Sequence, residues 1–231
     1  MQCALSAGLP GFSIVGLPNK AVSEARDRVR SALASMSIAL PSKRITVNLS
    51  PADLPKDGSH FDLPIALALM AAIGVIAQDA CENTVSLGEL SLDGALVPVR
   101  GALPAAVTAA GSDRLLICPR ACGPEAAWVA HAQVIGADSL WDIIQHFNGQ
   151  KPIPAAQAGD IEAPIVLGDL CDIKGQERGK RALEIAVAGR HHLFLVGTPG
   201  CGKSILAKRS LGLLPPLTPT QALETSMIKS I

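Results

Sequence analysis

The sequence predicts an α+β N-terminal domain followed by an α/β phosphate-loop domain, on three observations. The first is Gly197-Thr198-Pro199-Gly200-Cys201-Gly202-Lys203-Ser204, which matches G-x-x-x-x-G-K-[ST] without a mismatch. The second is a mixture of two-residue and 3.6-residue hydrophobic periods from Ile14 to Phe147, with no strict repeat. The third is the stretch Gly149–Ala163, rich in Pro, Ala and Gly, which reads as a linker between the two parts.

Ile14–Pro18 reads as a short strand ending at a turn. From Asn19 to Met36, Val22, Ala25, Val29, Ala32, Leu33 and Met36 recur at helical spacing. Arg44–Leu49 alternates as a half-buried strand, and Pro51–Ser59 is a turn-rich loop. Asp62 is suited to cap the apolar helix that follows, with Pro64 in its first turn. Val85–Leu92 and Ala95–Val99 alternate around Asp93-Gly94, which signals a hairpin. A helix over Ala102–Ala110, a strand Leu115–Cys118, a helix Pro124–Ala132 and a strand Val134-Ile135 come next. Leu140–Phe147 is a helix capped by Asp138 or Ser139. Trp128 and Trp141 fall on apolar helix faces and read as core.

The second part begins near Pro164. Gly175–Gly189 reads as a helix with Ala182, Leu183, Ile185 and Ala186 on its apolar side. His192–Val196 reads as a buried strand, and Ile205–Arg209 opens a helix after the loop. Thr218-Pro219 looks like a cap and first helical residue of a last helix running through Ile231.

Composition narrows the function classes. With 231 residues the chain accommodates one large or two modest domains. Twenty basic residues balance twenty acidic ones, so net charge alone gives no argument for a polyanion partner. Aromatics are 3% with no Tyr, which argues against a base-stacking platform. The six cysteines are scattered and read as free thiols of a reducing cytoplasm. Cys118 and Cys122 lack a second Cys/His pair, so zinc is not indicated. Leu63–Ala77 is uncharged but fifteen residues long, short of the roughly 18–20 a bilayer span needs, so no membrane contact is expected.

The loop carries the chemistry. Its glycines let backbone N–H groups close on a phosphate, Lys203 can reach the β/γ-phosphates, and the Ser204 hydroxyl can ligate Mg²⁺. A nucleoside triphosphate with Mg²⁺ is therefore the expected ligand, ATP by the family resemblance given below, held by Gly197, Thr198, Pro199, Gly200, Cys201, Gly202, Lys203 and Ser204, with Ser204 as metal ligand. Cys201 reads either as a tolerated small residue or as an oxidation-sensitive one, since a helix N-terminus lowers thiol pKa. Arg26, Arg28 and Arg30 with Lys43 and Arg44 read either as a phosphate-contacting basic face or as a solvated face paired with Glu24 and Asp27.

Several segments carry a family resemblance: Gly8–Pro18, Glu24–Leu33, Arg44–Lys56, Phe61–Ala66, Gly88–Gly94, Val99–Ala106, Asp172–Glu177, Lys180–Ala186 and Gly212–Leu217. Together they resemble the YifB/ComM family of magnesium-chelatase-like AAA+ ATPases. That resemblance implies a Lon-protease-like (ChlI-type) α+β domain over residues 1–148, a linker over 149–163, and the start of an AAA+ module over 164–231. It also implies a hexameric ring for complete members, with DNA as a partner and ATP-driven branch migration in natural transformation as the activity. Asp172–Gln176 would lie near the adenine. Met1–Ser6 would fall within a first hairpin whose N-terminal strand is missing.

Two departures from the family pattern shape the expectations. No apolar strand ending in Asp or Glu follows Ser204, and no sensor or arginine finger is visible, so a truncated chain that binds nucleotide without turning it over is expected. At the positions where a Lon-like protease would carry its serine and lysine, this chain has Ile65 and Leu103, so proteolysis is not expected. Two alternative functions stand beside the first: a magnesium-chelatase ATPase subunit of tetrapyrrole synthesis, and a non-catalytic fragment that binds partners. Against the chelatase reading, such subunits lack a Lon-like N-terminal domain.

Overall fold

A computed structural model of the chain describes residues 1–160, 168–215 and 217–230. β1 (Gln2–Ser6) and β2 (Gly11–Val15) both pair with β3 (Arg44–Asn48), β1 antiparallel and β2 parallel. The sheet order is β1-β3-β2, so β1 and β2 are not bonded to each other. β3 takes the place between its two arms, reached through the crossover helix α1 (Lys20–Ser35). Asn19 caps α1 by accepting from the Val22 N–H at 2.9 Å. The predicted stripe is the buried one: Val22, Ala25, Val29, Ala32 and Leu33.

α2 (Asp62–Ala72) is apolar nearly all round and is buried on most of its surface. It ends at Ala72 rather than Ala77, and Gly74 at φ +78° supplies a left-handed turn just beyond it. A short α3 (Gln78–Glu82) leads into β4 (Thr84–Ser86). β5 (Glu89–Leu90) and β6 (Leu96–Val97) form the predicted hairpin, with Gly94 at φ +89° and the Asp93 carboxylate accepting from the Ala95 N–H. The hairpin is shorter than the alternation suggests, because Val85 and Ser86 pair elsewhere.

Their partner is β7 (Leu115–Pro119), which follows α4 (Ala102–Gly111). α5 (Gly123–Ala126) and β8 (Gln133–Ala137) follow. The expected helix Pro124–Ala132 is thus one turn only, and His131 beyond it adopts φ +63°. β4, β7 and β8 form a parallel sheet in the order β4-β7-β8. Alternate residues of β7 feed two cores. Leu116 and Cys118 join Leu103, Ala106 and Val134, while Ile117 joins α1 and α2 residues. Burial on both faces explains why β7 reads as a continuous apolar run.

α6 (Leu140–Phe147) has the predicted bounds, with Ser139 as the cap. Its buried face is Leu140, Ile143 and Ile144. Trp141 lies about 100° from Leu140 around the helix and is 47% exposed, and Trp128 is 45% exposed. Neither tryptophan is core. After α6, Ala155 bridges Ile135, the Ala156 N–H donates to Val134 O at 2.8 Å, and the Gly159 N–H donates to Pro124 O at 3.1 Å. This strap belongs to the first of two compact units, Met1–Gly159 with Leu223–Ile231; the second is Asp160–Ala222. The expected start of the second part at Pro164 lies outside the described residues.

The second unit is built on α7 (Glu177–Ala188) and α8 (Lys203–Arg209). Leu170, Leu183 and Leu206 form its small core, joined by Ile173, Val187, Leu195 and Leu213. Among the described residues the expected buried strand His192–Val196 takes part in no β-pairing, and Phe194 is 89% and Val196 79% exposed. Among the described residues no other strand of this unit offers it a ladder, and without one an apolar run has no sheet in which to be buried. α9 (Pro219–Ser230) starts where predicted, with the Thr218 hydroxyl accepting from the Gln221 N–H. Its expected last residue, Ile231, lies outside the described residues. Leu223 and Met227 pack on the second core of the first unit.

Candidate functional site

The eight predicted loop residues come together in one turn entering α8. Gly200 and Gly202 sit at φ +82° and +86°, the left-handed region that side chains avoid. At Gly197 there is no room for a Cβ, which would meet Cys201 Sγ at 2.7 Å. Thr198 and Pro199 form the exposed tip. The Ile205 and Leu206 N–H groups donate to Gly202 O at 3.1 Å, which starts α8, and buried Leu206 anchors it. Lys203 curls back over the turn. Its Nζ donates to Gly197 O at 2.8 Å and Thr198 O at 2.7 Å and lies 3.5 Å from Cys201 Sγ. Ser204 is exposed on the first turn of α8.

This geometry fits a phosphate. Carbonyl oxygens and the Cys201 sulfur hold the Lys203 ammonium, with no carboxylate among these partners. Its charge is therefore available to an incoming anion. The exposed Ser204 hydroxyl suits a metal that arrives with the nucleotide. Among the described residues no three His, Cys, Asp or Glu side chains gather as a metal site.

A second segment reaches the same turn. The Asp169 carboxylate accepts from the Cys171 N–H at 2.9 Å, and Asp172 Oδ2 accepts from the Asp169 N–H at 3.0 Å. The Cys171 hydrogen bonds hold Asp169 below the usual carboxylate range. Asp172 also pairs with Arg209 at 3.2 Å. Gly175 and Gln176 follow in left-handed conformations, φ +70° and +63°. The Gln176 carboxamide Nε2 donates to Cys201 O at 2.5 Å. Sequence reasoning had only a coarse place for Asp172–Gln176. The contact between Gln176 and the loop was not foreseen, and the Gly-Gln pair before a helix was its one local signal.

In the N-terminal unit, Ile65 and Leu103, which the resemblance puts where a Lon-like protease would carry its serine and lysine, are 0% and 1% exposed and in separate cores. Neither can attack or accept a proton. The basic cluster is also divided. Arg26 pairs with Asp27 at 3.1 Å, whereas Arg28 turns inward. Its Nε and Nη2 reach Asp62 Oδ2 and Oδ1 at 2.6 and 2.9 Å, and its Nη2 also reaches Ala21 O at 3.0 Å. The Asp62 hydrogen bond raises the Arg28 pKa. Asp62 is fully buried and also accepts from the Leu90 N–H at 3.1 Å. It is therefore not the cap of α2, which has no side-chain cap, but an ionic tie between α1, α2 and β5. Arg30, Lys43 and Arg44 remain exposed.

Cys118 and Cys122 are buried, and burial pushes the Cys118 thiol up to about 12. Both side chains lie in the second core of the unit. No helix among the described residues is long and apolar enough to cross a membrane.

Comparison with known proteins matches the two units separately. A family profile described as subunit ChlI of Mg-chelatase matches residues 1–121, and one described as magnesium chelatase, subunit ChlI, matches residues 169–231. The chain is 45% identical to competence protein ComM of Haemophilus influenzae, across 100% of this chain and 46% of the relative. It is 44% identical to the uncharacterized protein YifB of Salmonella typhimurium and 41% to the uncharacterized protein Mb2921c of Mycobacterium bovis, with the same coverage. The chain spans about half the length of the curated relatives it matches. Its glycine-shaped lysine loop and these matches together make it a member of the YifB/ComM family of magnesium-chelatase ChlI-like, AAA+-related proteins.

Proposed function

We propose that this chain binds ATP with Mg²⁺ through Gly197–Ser204. The observation that carries the reading is the unbroken loop, with Gly200 and Gly202 left-handed and Lys203 folded over it on uncharged carbonyls. Lys203, now on those carbonyls, would hold the β/γ-phosphate oxygens, and the Ser204 hydroxyl would hold Mg²⁺. The metal offsets phosphate charge when bound. Thr198, Pro199 and Cys201 contribute backbone rather than side-chain chemistry.

The first unit is a Lon-protease-like scaffold without the Ser–Lys dyad, a reading supported by buried Ile65 and Leu103. The whole protein is a ring-forming, cytoplasmic ATPase that couples hydrolysis to DNA remodelling. The printed name of the Haemophilus relative, a competence protein, supports that direction. Arg30, Lys43 and Arg44 are the exposed cations that remain for phosphate contact in the basic cluster.

Titration of a fluorescent ATP analogue with Mg²⁺ tests the site. Saturable binding is expected for the chain, and at least a tenfold loss for Lys203→Ala, the effect of removing one charged hydrogen-bonding partner. Equal binding by both proteins would place the nucleotide elsewhere.

A further inference from the structure

We infer that Gln176 is a positioning residue of the phosphate loop: its carboxamide fixes the orientation of the Cys201–Gly202 peptide. This rests on the nucleotide-site reading above and assigns a device within it.

A phosphate loop works only if its N–H groups point into the cradle and its carbonyls point away. Glycines make the turn accessible, but they do not choose its orientation. The Cys201–Gly202 peptide plane lies between the Cys201 and Gly202 α-carbons, and Gly202, at φ +86°, tolerates a flip of that plane because it carries no side chain. A planar trans peptide directs its C=O and N–H to opposite sides. A donor held on Cys201 O therefore sets where the Gly202 N–H points. Gln176 Nε2 is that donor, at 2.5 Å.

The contact is built into the fold. Gln176 is a non-glycine residue at φ +63°, following Gly175 at φ +70°. Such a conformation costs about 1 kcal/mol or more for an ordinary side chain and is retained where the surroundings dictate it. It turns the side chain from the start of α7 across to the start of α8. Gly202 leaves the space: a Cβ there would lie 3.0 Å from Gln176 Nε2. Gly179, one turn into α7, similarly makes way for Leu206, whose Cδ1 a Cβ would meet at 3.1 Å. Two glycines thus bring the helices close enough for the carboxamide to reach.

Gln176→Met tests the role, because it keeps length and charge and removes the carboxamide with its donor. Three readouts on the intact chain are compared with wild type and Lys203→Ala: thermal melting, hydrogen exchange of the peptide covering residues 198–206 without nucleotide, and affinity for fluorescent ATP and AMP analogues. Expected are unchanged melting, faster exchange at the loop, and about a tenfold loss for ATP, the worth of one net hydrogen bond. AMP, which lacks the β- and γ-phosphates, should be nearly unaffected. Unchanged exchange, or unchanged ATP affinity, would overturn the role. Equal losses for ATP and AMP would overturn it too, since they would indicate a base contact. ATP binding lost in Lys203→Ala but intact in Gln176→Met refutes the Gln176 role alone. Binding that Lys203→Ala does not weaken would overturn the phosphate-loop reading, and this role with it.

Discussion

Replacing Arg28 by Met should destabilise the first unit more than any single surface change, because it strands a buried charge. Asp62 has no exposed surface, and its carboxylate has two sources of hydrogen bonds besides water: the Arg28 fork and the Leu90 N–H. Met keeps most of the Arg28 volume but leaves Asp62 with the single Leu90 donor. Breaking a buried pair from one side costs about 3–5 kcal/mol. At roughly 2–4 °C per kcal/mol for a unit of this size, the midpoint should fall by roughly 6–20 °C. Arg28→Met with Asp62→Asn removes the charge, retains an acceptor for Leu90, and should recover at least half of the loss. Urea unfolding followed by circular dichroism, run as a double-mutant cycle, measures both. A single-variant cost below about 1 kcal/mol, or a double variant as unstable as the sum of its parts, would refute the account of Asp62 as a tie dependent on Arg28.

Two further outcomes follow from local geometry. Gly16→Ala places a Cβ 2.2 Å from Leu49 O at φ +107°, so it should separate the end of β2 from Leu49 and cost about 2–4 kcal/mol in the same unfolding assay; a neutral variant would show that the backbone yields freely there. Cys118 binds its proton more tightly folded than unfolded, its thiol being raised from 9.0 to about 12. The stability it contributes is present below pH 9 and is lost as pH rises through 9 to 12. At about 1.4 kcal/mol per pH unit, moving from pH 9 to 10.5 should cost about 2 kcal/mol. Cys118→Ala should flatten that slope, and an unchanged slope would assign it to other groups.

Local periodicity located most of the N-terminal elements. The α1 stripe, the α6 bounds, β7 and the Asp93-Gly94 turn all follow from residue spacing, since each is decided within about a dozen residues. Errors occurred where a partner far along the chain decides. Val85 and Ser86 leave the hairpin for β7, their partner about 30 residues further on. Arg28 and Asp62 are 34 residues apart and look like a surface cation and a helix cap until they meet. Trp128 and Trp141 carry apolar rings that no local rule keeps exposed.

The sequence by itself determined the local form of the proposed phosphate loop, because the motif resides in contiguous residues whose types specify the backbone: Gly at 200 and 202 where φ is positive, Lys203 and Ser204 where the proposal needs charge and hydroxyl. That Ile65 and Leu103 carry no group that can react was equally legible, since it depends on residue type alone. Only the tertiary structure decided what surrounds them. It placed the Gln176 carboxamide on Cys201 O, drew Arg28 out of the basic cluster onto buried Asp62, and gave Leu193–Val196 no ladder among the described residues. Those outcomes depend on which distant segment fills a given space and satisfies a given polar group. That is settled by packing and hydrogen bonding across the fold, not by neighbours in the chain.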